Sequence, residues 1–335
     1  MRIGTRGSAL ALWQARTVAH LIAESGGPPC KIVVIRTSGD ESAGPPDSPR
    51  QSTLGTPSTL STPSTSTSGT PGTLSVKRLF VKEIEEALLG GRVDIAVHSC
   101  KDLPAALPDG LRIVGAIARE DARDALVLPS ASSAHGLDAV VAALGPTPRI
   151  GTSSVRRAAE LTARFPGATF TPIRGNVDTR LRKLDAGEAD ALTLAAAGLK
   201  RLGLEARISA FLPVDVCVPA PGQGIVAIEI AEAAARPIRD AVTAITDADA
   251  MAALLAERAV VQALGGGCQM PLGVHAVIDG QAIVVSGAVV APDGSRVVRA
   301  SQTGNRGNAA AAGEKLAAQL LQRGAAEILS SLHPK

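Results

Sequence analysis

The sequence predicts an α/β protein of two similar lobes with a cleft between them, followed by a small C-terminal α+β domain. Three observations carry that expectation. Arg2-Ile3-Gly4-Thr5, a short strand leading through a turn into an amphipathic helix, returns as Arg149-Ile150-Gly151-Thr152 with the same sequel. Gly90-Gly91-Arg92-Val93-Asp94, running into Ile95-Ala96-Val97, is matched by Ala186-Gly187-Glu188-Ala189-Asp190 before Ala191-Leu192-Thr193-Leu194. Near the C-terminus the pattern changes to three strands punctuated by Asp279-Gly280 and Asp293-Gly294, a meander signal. A length of 335 residues fits two or three domains at roughly 100–200 residues each. The expected division is 1–118 with 225–243, then 119–224, then 246–335.

Taken in order, the strand Arg2 to Thr5 is followed by Arg6-Gly7-Ser8, with Ser8 as a helix N-cap. Leu10, Trp13, Thr17, Val18, Leu21 and Ile22 recur at helical spacing until Gly26-Gly27 stops the run. A Val/Ile-rich strand spans Lys31 to Thr37. From about 41 to 76 the chain is nearly all Ser, Thr, Pro and Gly. Such a segment buries too little apolar surface to offset its ordering entropy and is expected to be a mobile loop. A helix is predicted from Leu79 to Leu89, with Phe80, Ile84 and Leu88 on one face.

The strand Asp94 to His98 is short, apolar and turn-bounded, as one buried on both faces should be. It delivers Lys101 and Asp102 into a turn closed by Pro104, and another strand covers Arg112 to Ile117. In the second lobe, Ser153 or Ser154 caps the helix after Thr152. Beyond Pro219-Ala220-Pro221-Gly222-Gln223-Gly224 comes a strand from Ile225 to Ile230. The C-terminal domain opens with a helix from about Ala248 to Leu264, ending in Gly265-Gly266-Gly267-Cys268, and closes with one from Ala309 to Leu332.

Composition excludes several function classes. One Trp, four Phe and no Tyr leave no stacking platform for single-stranded nucleic acid, and a net charge of +3 suggests neither nucleic-acid nor membrane partners. The four cysteines form no CxxC pair, so neither a disulfide framework nor a metal site is expected. No run approaches the roughly 20 apolar residues of a membrane span, and no secretory h-region opens the chain. A soluble cytoplasmic protein is the expectation.

The arginines are the most informative residues. Arg6 lies in the first strand-to-helix turn, Arg156 and Arg157 in the first turn of the helix after Thr152, Arg174 at Arg174-Gly175-Asn176, Arg180 further along and Arg201 after Gly198-Leu199-Lys200. Cations in a helix's first turn oppose the macrodipole unless an anion meets them. Guanidinium forks bind carboxylate or phosphate bidentately, so the ligand should be a polyanion. No GxxxxGK[ST] or GxGxxG loop favours phosphate, and no His pair, HExxH or Ser-His-Asp spacing is present.

Asp102 is the best-placed titratable group. Near arginines it is expected to stay ionised and to stabilise a developing cation rather than donate a proton; the bland alternative is a surface Lys-Asp pair. His98 reads as a packed or supporting residue. Cys268 is either a small buried hydrophobe or, after three glycines, a functional thiol.

Read together, MRIGTRGSALALWQA, DIAVHSCKDLP, RIGTSSVRRAAEL, IRGNVDTRLRKL, AGLKRLG, PAPGQGIVAIE and ERAVVQALGGGCQMPLG closely resemble the porphobilinogen deaminase (hydroxymethylbilane synthase) family, in family order over nearly the whole chain. The resemblance implies two lobes like type II periplasmic binding proteins and a C-terminal domain carrying a dipyrromethane cofactor, joined by a thioether to the cysteine that is Cys268 here. It implies a monomer that condenses four porphobilinogen molecules head to tail, releasing ammonia each time, before water frees hydroxymethylbilane. Asp102 would stabilise the positive charge formed on losing ammonia. Arg6, Arg156, Arg157, Arg174, Arg180 and Arg201 would bind acetate and propionate groups, assisted by Ser8, Gln14, Lys77, Lys101, Ser153 and Ser154. One departure is clear: where the family has a shorter glycine- and lysine-containing loop before LFVKE, this chain has the Ser/Thr/Pro tract with Lys77 alone close to the motif. The rival reading is a two-lobed binding protein for a polycarboxylate, with Cys268 inert.

Overall fold

The computed structural model describes residues 1–38, 81–266 and 270–331. The Ser/Thr/Pro segment, Lys77, the start of the helix expected from Leu79, Cys268 and Leu332 lie outside them.

Lobe 1 opens with β1 (Arg2–Thr5), α1 (Ala9–Glu24) and β2 (Lys31–Val34). Ser8 caps α1 by accepting the Ala11 N–H at 3.3 Å, which satisfies one of the orphan donors of the first turn. β2 stops at Val34 rather than Thr37 because its partner β1 ends at Thr5, opposite Val34. Then come α2 (Lys82–Leu89), β3 (Ile95–Ser99), a 3-10 turn at Cys100–Asp102 and β4 (Leu111–Ile117).

Lobe 2 runs through β5 (Asp124–Val127), α3 (Leu137–Leu144), β6 (Arg149–Gly151), α4 (Val155–Thr162), β7 (Thr169–Thr171), α5 (Val177–Asp185), β8 (Ala191–Ala195), α6 (Ala196–Arg201) and β9 (Ala210–Phe211). The chain returns to lobe 1 as β10 (Val226–Ala231) and α7 (Arg236–Ala244). The C-terminal domain comprises α8 (Ala248–Ala263), β11 (Leu272–Asp279), β12 (Ala282–Val290), β13 (Val297–Asn305), α9 (Ala309–Leu320) and α10 (Ala326–Ser331). The single closing helix read from sequence is thus broken. Gly324, at φ 97°, takes a left-handed conformation that no continuous helix allows.

The two lobes have one topology. Lobe 1 orders its strands β2-β1-β3-β10-β4, and lobe 2 orders them β7-β6-β8-β5-β9. In each, the first three are parallel and the fourth runs antiparallel to both neighbours. That fourth strand is the one adjoining the crossing to the other lobe: β5 enters lobe 2 and β10 leaves it. These are two lobes of the type II periplasmic-binding-protein kind, and the internal repeat seen in the sequence is a repeat of structure.

β3 lies inside its sheet between β1 and β10, with Ile95 to His98 all buried. The C-terminal meander packs α8 and α9 on one face, burying Ile283, Val285, Val289, Leu316 and Leu320 completely. Full burial contributes about 1.5–3 kcal/mol for each such side chain. Cys100, Leu103, Ile225 and Ala227 of lobe 1 belong to the same core, so the C-terminal domain is seated on lobe 1. A smaller cluster of Ala159, Val218, Ala288 and Val290 joins it to lobe 2.

Candidate active site

The carboxyl end of β3 empties into a cleft of about 240 Å³ between the lobes. Lobe 1 lines it with Arg6, Ser8, Gln14, Lys101 and Asp102, and lobe 2 with Arg157, Arg180 and Arg201. The described lining holds five Arg or Lys side chains against two carboxylates, Asp102 and the exposed Asp178. This excess of positive charge, part of it shielded from water, suits a ligand bearing several carboxylates.

Each residue is set by its element. Buried β3 carries the 3-10 turn that presents Lys101 and Asp102, both half-buried. Cys100 anchors that turn beneath Gly222, whose φ of +74° and tight approach admit no side chain: a Cβ there would lie 2.5 Å from Cys100 Sγ. Gln14 is buried on α1 and donates to Ser99 Oγ at 2.8 Å. Arg180 donates from Nε to the Gly175 carbonyl at 2.7 Å. Arg201, at the end of α6, donates from Nη2 to the Gly224 carbonyl at 2.7 Å. Burial pushes the Arg201 guanidinium down to about 10. It lowers the pKa of Arg180 too, where Arg157 adds to the effect.

Lys101 shows how crowded the positive charge is. Burial, followed by the nearby Arg157, brings its ammonium down to about 8. Its Nζ donates to Gln223 Oε1 at 3.3 Å. Gln223, fully buried, donates in turn from Nε2 to the Ala122 carbonyl at 2.7 Å and to Asp124 Oδ1 at 2.9 Å. Asp124 Oδ1 also accepts from Arg157 Nε at 3.0 Å and Nη2 at 2.7 Å. One unbroken chain of hydrogen bonds therefore joins Lys101 of lobe 1 to Arg157 of lobe 2 beneath the cleft.

Asp124 was invisible as a site residue in the sequence. It opens a strand whose four residues are all buried, and its partners come from α4 and from the segment between the lobes. Burial alone would raise its pKa, but Arg156 and Arg157 outweigh that and hold the carboxyl well below the usual carboxylate range. A carboxylate opening an apolar run was the only available signal.

Arg156 corrects the sequence expectation. It does not line the cleft; its guanidinium turns into the protein, to Asp124 Oδ2 at 2.7 Å, Glu160 Oε2 at 3.2 Å and the Val218 carbonyl at 2.6 Å. Adjacent residues on a helix point about 100° apart, so only one of Arg156 and Arg157 can face the cleft. Ser154 is committed to capping α4, accepting the Arg157 N–H, and Ser153 Oγ donates to the Ile173 carbonyl at 3.3 Å. Neither serine lines the cleft, and nor does the exposed Arg174. His98 is buried, with Nε2 3.1 Å from Glu229 Oε2.

The comparisons with known proteins agree with this chemistry. The family model described as "Porphobilinogen deaminase, dipyromethane cofactor binding domain" matches residues 1–53 and 63–238, and "Porphobilinogen deaminase, C-terminal domain" matches 251–322. The porphobilinogen deaminase of Acidithiobacillus ferrooxidans is 43% identical over 99% of this chain and 98% of its own. Those of Bordetella parapertussis and Syntrophotalea carbinolica are each 42% identical, over 100% and 99% of this chain and 96% of theirs. The solved substrate binding domain 2 of Lactococcus lactis GlnP aligns with 73% of this chain and 86% of its own at 10% identity and a TM-score of 0.40, and nothing further rests on it. By sequence over its whole length, the chain belongs to the porphobilinogen deaminase family.

Proposed function

We propose that the cleft carries out the deaminating condensation of porphobilinogen, with Asp102 as its catalytic carboxylate. The chain is a transferase of the hydroxymethylbilane synthase kind. The reaction joins four porphobilinogen molecules head to tail, releases ammonia at each addition and ends with hydrolysis to hydroxymethylbilane. The observation that carries the reading is one half-buried carboxylate, Asp102, held at the end of a buried strand among side chains of opposite charge.

The physical logic follows from the substrate. When the amine of the aminomethyl group leaves as ammonia, the C–N bond breaks and positive charge develops on the methylene carbon left on the ring, spreading to the pyrrole nitrogen. A fixed anion in a water-poor cleft stabilises that charge without reorganising during the reaction. Each pyrrole also bears an acetate and a propionate, which Arg6, Lys101, Arg157, Arg180 and Arg201 are placed to neutralise. Arg157 does so mainly through its field, since its Nε, Nη1 and Nη2 already bond Asp124 and the Thr193 carbonyl. Ser8 and Gln14 fix the lobe 1 wall. Arg156 supports Arg157 by sharing Asp124.

The donor set fits a dipyrromethane, because its four carboxylates would meet a described lining that holds five cations. Bound through a thioether to Cys268, it supplies the pyrrole carbon to which the first substrate is joined. Lys77, Ser153, Ser154 and Arg174 are proposed to assist at later stages of chain growth. The same reading divides the chain into 1–118 with 225–243, 119–224 and 246–335, and has it act as a cytoplasmic monomer. A net charge of only +3 and the scarcity of aromatics support the absence of nucleic-acid and membrane partners. No described helix is long and apolar enough to cross a membrane.

Intact mass of the purified chain tests the proposal. The expected mass exceeds that of the polypeptide by two pyrrole units, and peptide mapping should place the adduct on Cys268. An unmodified chain, or an adduct on another residue, would sink the reading in favour of a simple anion-binding protein.

A further inference from the structure

We propose that Trp13 is a positioning residue for Arg201: it reaches from lobe 1 and holds that guanidinium in place across the cleft. Trp13 lies on α1, one residue before Gln14, and is half-buried. Arg201 lies at the end of α6 in lobe 2 and is 8% exposed. Its guanidinium carbon stands over the indole ring, 5.5 Å from the centroid, within the range of a cation–π contact.

The environment of Arg201 makes the ring matter. Among the described residues its one hydrogen bond is to the Gly224 carbonyl, a neutral acceptor from the segment that joins the lobes. A guanidinium has five N–H donors, so most of the fork is left for a ligand. A cation this buried, with no carboxylate hydrogen-bonded to it and only the more distant field of Glu120 in its favour, is costly to hold in one place. The indole face offsets part of that cost and fixes the plane of the fork, while spending none of its donors. Arg201 is thus located by one group of lobe 1 and one of the hinge, although it is carried by lobe 2. Misplacing a binding group by about 1 Å can cost as much as 10²-fold, so a contact that touches no substrate can still set affinity.

The inference rests on the reading above that Arg201 meets a carboxylate of the substrate or cofactor, and the experiment separates the two. Trp13 is the only tryptophan in the chain, so intrinsic emission reports this contact alone. Holoenzymes of wild type, Trp13→Phe, Trp13→Leu, Arg201→Met and the Trp13→Leu/Arg201→Met pair would be compared. Removing the cation in Arg201→Met should change the emission of Trp13 before any substrate is added. Trp13→Leu should raise KM for porphobilinogen about fivefold to tenfold with kcat within about twofold, and Trp13→Phe, which keeps an aromatic face, should recover most of the loss. In the Arg201→Met background, Trp13→Leu should have no further effect on KM.

Unchanged emission in Arg201→Met, a wild-type KM in Trp13→Leu, or an equal KM rise with Arg201 already gone would each overturn the inference. All three leave the carboxylate role of Arg201 standing so long as Arg201→Met itself raises KM. If Arg201→Met leaves KM unchanged, that role falls and this inference falls with it.

Discussion

Glu257, on the first helix of the C-terminal domain, accepts the main-chain N–H of Gly222 at 2.6 Å. The same carboxylate accepts from Arg119 Nη1 at 2.7 Å and from the Ala276 N–H at 2.8 Å. One fully buried side chain thereby ties together the passage into lobe 2, the passage back and the C-terminal sheet. At Gly222 the contact is made by the main chain, so among substitutions there only proline would remove the donor itself.

Glu257→Gln should therefore be severe. It leaves the Arg119 guanidinium without its counter-charge and sets an amide NH₂ against donors. Loss of one partner from a buried pair costs about 3–5 kcal/mol, which a denaturant titration would show as a large fall in midpoint. A midpoint within error of wild type would mean that hydrogen-bonding shape alone holds the joint.

Asp124→Asn is expected to cost a similar amount, about 3–5 kcal/mol, because Arg156 and Arg157 lose the carboxylate they share. Its pH dependence carries a sign. The folded pKa of Asp124 lies below its unfolded value, so its stabilisation is complete above about pH 4 and drains away as the pH falls further. The gap between wild type and Asp124→Asn should thus be full at neutral pH and narrow in acid. A gap that widened on acidification would contradict the ion-pair account.

Lys101 supplies an alkaline limb. With its ammonium at about 8, the cleft loses one positive charge as the pH rises through that value. KM for porphobilinogen should rise over the same interval. Lys101→Arg, which stays charged, should move the limb to higher pH, and an unmoved limb would assign it to another group.

Asp102→Asn keeps the shape of the side chain and removes its charge. The rate of bilane formation should fall by about 10²–10³, the usual cost of losing one preorganised electrostatic contact. The melting temperature should stay within about 2 °C of wild type, since the residue is half-buried on a turn. Near-normal turnover would remove Asp102 from its proposed role.

The sequence carried most of the fold because its repeats are local. The Ser8 cap, the buried β3 and the Asp-Gly meander are each written within a few residues, and each is found as expected. β5, β7 and β9 escaped notice because they are only four, three and two residues long and, unlike the equally short β1 and β6, carry no repeated string to mark them. The cleft was legible as a set of arginines but not as a geometry. Arg156 and Arg157 read alike in the sequence and share Asp124; the rotation of α4 separates them, turning Arg156 to Glu160 and the Val218 carbonyl and Arg157 to the Thr193 carbonyl and the cleft. Trp13 read as one more apolar position on a helical stripe, because its partner, Arg201, belongs to the other lobe and is far away in the sequence.

The strand order of the two lobes has a consequence for how the chain is made. All the strands of lobe 2 fall in one continuous stretch, whereas lobe 1 seats β10 between β3 and β4. As the polypeptide leaves the ribosome, β3 and β4 emerge early but have nothing to join them. They stay as open edges, ready to pair wrongly, while the whole of lobe 2 is translated. The lobe that comes second in the gene is then the first able to close, and the nascent first lobe is completed only when β10 threads back into the gap.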